Sequence, residues 1–104
     1  MKVESDTHLD CPVTKTLKII GSKWTMLLIH NLLSGTKRFG ELQRLLPGIS
    51  PKTLSQRLQE LEQEQIVMKK VYTEIPPRVE YSLTEKGRSL KGVFKALNAW
   101  GQQA

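Results

Sequence analysis

Cysteine is nearly absent. Cys11 is the single one in 104 residues, so no disulfide can close within a chain and no multi-cysteine zinc pattern can form. One free thiol suits a reducing cytoplasm. Long apolar runs are missing too: none approaches the roughly 18 residues of a membrane span, and no signal-peptide pattern opens the sequence. A cytoplasmic location without membrane contact is therefore expected. No glycine-rich phosphate loop occurs, nor any motif that joins nucleophile, base and orienting group, so neither an enzyme nor a cofactor is expected. His8 and Cys11 have an H-x-x-C spacing, but the only other histidine is His30, on a helix expected to be buried, so no metal site is expected. Aromatics make up only 6% of the chain, and Trp24, Tyr72, Tyr81 and Trp100 are assigned to core or interface rather than to stacking platforms.

Acidic charge is the other scarcity. Sixteen Lys+Arg against ten Asp+Glu leave a net charge of +6. The resulting pI near 9.7 favours a polyanionic partner without naming one. The length and ordinary composition describe one domain.

Residues 1–10, "MKVESDTHLD", are polar and unpatterned and are expected to form a flexible arm before a domain spanning 11–104. From Pro12 the spacing of Val13, Leu17 and Ile20 predicts a short helix closed by Gly21. Ser22 then caps "KWTMLLIHNLL", whose two apolar stripes make it the central helix, with Gly35 as its end cap. "FGELQRLL" gives a third helix with Leu42, Leu45 and Leu46 on one side, and "PGIS" breaks it. "SPKTLSQRLQELEQ" gives a fourth, because serine is a favoured cap and proline fits the first helical position. In "IVMKKVYTEIPPRVEYSL" the alternation of Val79, Tyr81 and Leu83 against Arg78, Glu80 and Ser82 predicts two antiparallel strands. Their loop is stiffened by Pro76 and Pro77. Thr84 caps a last helix with the stripe Leu90, Val93, Phe94, Leu97 and Trp100. The fold class is mainly α with a small β-hairpin wing: a winged helix-turn-helix, expected as a two-fold homodimer.

The fourth helix has its charges reversed. An isolated helix favours acids in its first turn, each contributing about 0.3–1 kcal/mol. Here Lys52 and Arg57 lie in the first half, and Glu60, Glu62 and Glu64 crowd the end. At about 100° per residue Leu54, Leu58 and Leu61 face inward, while Lys52, Gln56, Gln59 and Gln63 face out and Thr53 and Ser55 flank them. Glutamine can bond adenine at N6 and N7, and lysine can donate to guanine O6 and N7. The uncompensated positive end suits a phosphate. Arg38 before the third helix, and Lys69, Lys70 and Arg78 on the hairpin, supply base where a winged module meets backbone. The DNA-contacting set is therefore Arg38, Ser50, Lys52, Thr53, Ser55, Gln56, Arg57, Lys69, Lys70 and Arg78. The competing reading is a winged-helix module for protein or RNA contact, which would expose apolar anchors where Lys52 and Gln56 stand.

"GSKW", "RFGEL", "PGIS", "LSQRL" and "PPRVEYSLTEKG" together resemble the HxlR family of bacterial winged helix-turn-helix regulators, relatives of the MarR type, from Cys11 to about Trp100. The resemblance implies a homodimer on a palindromic double-stranded operator, with the fourth helix (residues 50–65) in the major groove and the hairpin near the minor groove. It also implies a dimer interface built from the first and last helices, here Val13, Leu17, Leu90, Val93, Phe94, Leu97 and Trp100. Several members respond to aldehydes, quinones or oxidants through a cysteine just before a proline, and "CPV" at Cys11–Val13 matches that position. The expected helix-end property of lowering a thiol pKa fits the same residue. One departure is visible. Where the family usually places Asp-Gly after the recognition helix, this chain has Glu64-Gln65, so a left-handed cap without glycine is expected to cost about 1 kcal/mol.

Overall fold

The computed structural model describes residues 11–104; the arm at 1–10, His8 included, lies outside the described residues. Cys11 precedes α1 (Pro12–Ile20), which closes at Gly21. Ser22 Oγ accepts from the Thr25 amide at 3.2 Å and starts α2 (Lys23–Leu32). Thr25, Leu28, Ile29 and Leu32 of α2 are buried, so this helix is the axis of the core as its double stripe requires. A two-residue strand β1 (Lys37–Arg38) leads into α3 (Phe39–Leu45). Then come α4 (Pro51–Gln63), the hairpin strands β2 (Val67–Tyr72) and β3 (Arg78–Leu83), a single turn α5 (Glu85–Arg88) and α6 (Lys91–Gln103).

Four expectations are corrected. The hairpin is a three-stranded sheet in the order β1-β3-β2, because Lys37 and Arg38 pair with Tyr81 and Glu80. A strand of two residues has too little alternation to show in sequence. Gly35 does not cap α2, which ends three residues earlier; with φ of 140° it forms the turn into β1. The last helix is two: Thr84 caps α5, and the chain re-enters helix at Lys91. His30 is exposed rather than buried, stacked against Phe94 with ring centroids 6.0 Å apart.

The core joins α2, α3, α4 and the sheet through Leu28, Ile29, Leu42, Leu54, Leu58 and Leu61, none more than 1% exposed. In α3, Leu42 and Leu46 turn inward, but Leu45 is left exposed. The two outer helices contribute little to this core: α1 buries Ile20 alone and α6 buries Phe94 alone.

The end of α4 shows how the missing glycine is accommodated. Gln65 adopts φ of 61°, so the left-handed turn is made by a residue with a side chain. The Gln65 amide donates to Glu62 O at 3.0 Å and the Ile66 amide to Leu61 O at 2.9 Å. That is the six-to-one and five-to-two pattern that closes a helix, with buried Leu61 and Ile66 supplying its apolar contact. The strain is held in place by α5. Thr84 Oγ1 donates to Gln65 O at 2.6 Å, the Thr84 amide to Ile66 O at 2.9 Å, and Lys86 Nζ to Glu64 O at 3.0 Å. Gly87 fits beneath: a Cβ there would stand 2.3 Å from Ile66 O. "TEKG" is thus a latch on the end of α4.

Candidate nucleic-acid interface

The α4 helix starts where serine and proline place it. Ser50 Oγ accepts from the Thr53 amide at 3.1 Å and donates to Thr53 Oγ1 at 3.0 Å, with Pro51 in the first turn. No acid stands in that turn, so the partial positive charge of its free amides is uncompensated. Leu54, Leu58 and Leu61 fix the inward face, and Lys52, Ser55, Gln56, Gln59 and Gln63 are exposed on the other, with Thr53 half-buried at its edge. Arg57 lies apart from this row. Its guanidinium meets Glu60 at 3.0 Å and lines a polar cleft with Lys18, Ser22 and Thr25, on the side of α4 that faces α1 and α2.

The sheet collects the remaining cations. Its register puts Arg38, Glu80 and Lys70 in one row and Lys37, Tyr81 and Lys69 in the next, so alternate rows face opposite sides. Arg38 and Lys70 share the outer face with Arg78; Lys69 projects from the other face. Arg78 is internally satisfied. It pairs with Glu74 at 3.2 Å and Glu80 at 3.6 Å and lies over the Tyr72 ring at 3.9 Å. Tyr72 donates its hydroxyl to Glu80 at 3.2 Å, and Lys70 lies 4.9 Å from the same ring. Sequence pattern does not show this cross-strand cluster, although Tyr72, Arg78 and Glu80 become visible once the hairpin register is drawn. Beyond it the tip exposes Ile75 completely.

At the opposite end, Cys11 is partly exposed with extended backbone at the cap of α1. The backbone amides of Thr14 and Val13, at the start of α1 beside the sulfur, favour the thiolate and hold the thiol below the ordinary value. Of the expected interface residues, Val13 (63% exposed), Leu17 (57%) and Trp100 (70%) stand free, as do Val93 and Leu97. Phe94 does not belong with them. It is buried in the subunit's own core, and Leu90 is half-buried against it. The sequence stripe merged two neighbouring faces of α6, one turned inward and one outward.

A helix-turn-helix followed by a hairpin, with a carboxylate-free polar row at the front of its second helix, defines the winged helix-turn-helix class of transcription regulators and not an enzyme. The match to the family described as HxlR-like helix-turn-helix runs over residues 19–104, and the chain belongs to that family. It is 44% identical over 99 residues to the uncharacterized HTH-type transcriptional regulator YdeP of Bacillus subtilis, covering 95% of this chain and 77% of that protein. It is 45% identical over 94 residues to the HTH-type transcriptional regulator YodB of the same organism, covering 89% and 84%. Among solved structures, the redox regulator HypR in its oxidized form aligns with a TM-score of 0.85 at 44% identity, over 90% of this chain and 97% of that one. The reduced form of YodB aligns at 0.78 and 45% identity, over 89% and 92%.

Proposed function

We propose that this regulator acts in the cytoplasm as a two-fold dimer on a palindromic duplex operator, with α4 in the major groove and the β2–β3 wing along the flanking backbone. The observation that carries this reading is the front of α4: free amides with no acid, then lysine, hydroxyls and glutamines that fit base edges. Arg38 and Lys70 hold the phosphates from the outer face of the sheet, and Lys69 adds its charge from the other face. Arg78 joins them only by giving up its carboxylates. Ser50, Thr53 and Ser55 lie close enough to the same helix end to add hydroxyl contacts, and Arg57 acts from the flank. Exposed Val13, Leu17, Val93, Leu97 and Trp100 are apolar surface that a second copy would cover.

The same reading gives Cys11 the sensing role. Its lowered pKa raises the thiolate fraction at neutral pH, and the thiolate is the nucleophile. An aldehyde or quinone would add to the sulfur. An oxidant would couple it to a second thiol, taking up the two electrons released as the S–S bond forms. Either product adds bulk at the root of α1, which this reading places in the dimer interface. The resemblance to a redox regulator supports the assignment. The experiment is a salt titration on duplex DNA. A dimer making roughly 6–10 phosphate contacts loses about 10³–10⁵ in affinity between 50 and 200 mM salt. A flat dependence would sink the DNA reading.

A further inference from the structure

The tip of the wing is built unlike the rest of the surface assigned to the duplex. The loop of residues 73–77, between β2 and β3, carries no lysine or arginine. Its one charged residue is Glu74, which pairs with Arg78 at 3.2 Å. Turns draw mainly on glycine, proline, asparagine, aspartate and serine. This one presents Ile75, 101% exposed, so that its side chain has no packing partner among the described residues. Pro76 and Pro77 follow, both exposed, and each fixes its own φ.

The support beneath is braced. The Glu74 amide donates to Tyr72 O at 2.9 Å, and the Glu74–Arg78 pair closes the base of the loop. Arg78 is fixed in turn over the Tyr72 ring and by Glu80. An apolar side chain carried on a held loop loses less freedom when a partner takes it in.

We propose that Ile75 is a wedge that enters the minor groove beside the α4 site and partly unstacks one base step. Reach agrees with this placement. Glu64, Gln65 and Ile66 alone separate α4 from β2, and the Ile66 amide is bonded back to Leu61 O. Six strand residues at about 3.3 Å each carry the tip roughly 20 Å from there. Half a duplex turn, the offset from a major groove to the next minor groove, is about 17 Å. Chemistry selects the mode. A tip without a cation has no side chain to hold phosphate, and isoleucine and proline side chains offer no hydrogen bond to a base edge. Both belong to the set that opens base steps in minor grooves. Lys69 and Lys70, further back on β2, supply the charge that draws the wing in.

The wedge rests on the regulator reading and adds to it a position that α4 does not touch. A·T and T·A pairs show the same acceptors in the minor groove, so Ile75 reads ease of unstacking rather than base identity. A TA step opens more readily than the stiff AA step.

The probe is a duplex selected by the full chain from a random-sequence pool, with the steps flanking each half-site set in turn to TA or AA. The parent protein should prefer TA at one flanking step by about 5- to 150-fold, the range of single-position discrimination. A 2-aminopurine base at that step should brighten on binding as it unstacks. Ile75→Ala should bring the preference to about one and abolish the brightening, and Ile75→Leu should restore both. Ile75→Lys should tighten both duplexes alike without brightening, because it adds a phosphate contact and no wedge. The position is fully exposed, so none of these substitutions disturbs the core. Equal affinity of the parent protein for TA and AA at every flanking step overturns the wedge and leaves α4 in the major groove. So does an Ile75→Ala protein that keeps the preference and the brightening. If no sequence is selected from the pool, the regulator reading fails and the wedge with it.

Discussion

Gly87→Ala sets two physical effects against each other at one atom. Gly87 sits in the α5 turn with no positive φ, so alanine should be favoured there by about 0.8–1 kcal/mol on helix propensity alone. The structure demands the opposite sign. The new Cβ would lie 2.3 Å from Ile66 O, 3.0 Å from Leu83 Cδ2 and 3.2 Å from Ile66 Cγ2. Ile66 O is main chain just before β2, so no rotamer change relieves the contact. The α5 turn must withdraw, and overpacking of this kind costs about 1–3 kcal/mol. Withdrawal also lengthens the Thr84 and Lys86 bonds to the end of α4, each contributing about 0.5–1.5 kcal/mol. The net expectation is destabilisation by about 1–3 kcal/mol, a fall in Tm of roughly 4–8 °C per kcal/mol for a chain of this size. Gly92→Ala is the internal control. Nothing lies within 4 Å of its Cβ, so propensity acts alone and stability should rise by up to about 1 kcal/mol. Urea unfolding of both variants at one fixed protomer concentration checks the pair. If Gly87→Ala is neutral or stabilising, α5 is not packed as a latch and its hold on α4 is negligible.

Four further outcomes test the functional reading. Gln56→Ala should relax preference at one base pair per half-site at a cost of about 1–3 kcal/mol, whereas Lys70→Ala should weaken all sequences alike and flatten the salt slope. Arg78→Ala should flatten it less than Lys70→Ala, since two carboxylates already engage that guanidinium; an effect as large as that of Lys70 would mean the pairs open on DNA. Trp100→Glu should shift the sedimenting mass at micromolar protein from dimer to monomer, because it places a charge in the exposed stripe; a monomeric parent protein would refute the assembly. For Cys11, alkylation should follow an apparent pKa below the free-thiol value of about 8.5. The sign for stability follows from the lowered value: the thiolate's contribution is complete above the ordinary thiol pKa and is lost as pH falls through the lowered one. An unshifted profile, with operator binding unchanged by diamide, would make Cys11 structural.

The parts of the fold legible in sequence are those governed by local chemistry. Ser22, Ser50 and Thr84 cap the helices they announce, and the Leu54–Leu58–Leu61 spacing orients α4 because each of those leucines is buried. What stayed hidden depends on pairing between distant segments. The strand status of Lys37 and Arg38 exists only through Tyr81 and Glu80, and the neutralisation of Arg78 only through the hairpin register. Phe94 and Val93 look alike in a periodic stripe; which one turns inward is decided by where α2 lies. The exposure of His30 has the same origin, since a helix apolar on two sides still leaves a strip that nothing covers. The front of α4 was legible for the opposite reason, being defined by what its own sequence withholds: an acid in the first turn.

The latch between "TEKG" and the end of α4 has a mechanical consequence. Glu64, Gln65 and Ile66 are bonded to Thr84 and Lys86, and only Ser89 and Leu90 separate α5 from α6. The helix proposed to face the duplex and the helix α6 are therefore geared together through a short joint. In a paired molecule, tilting one would turn the other. A signal reaching α6 would then need no long path through the core and no unfolding. Inducers of unrelated chemistry would need to change only a single angle.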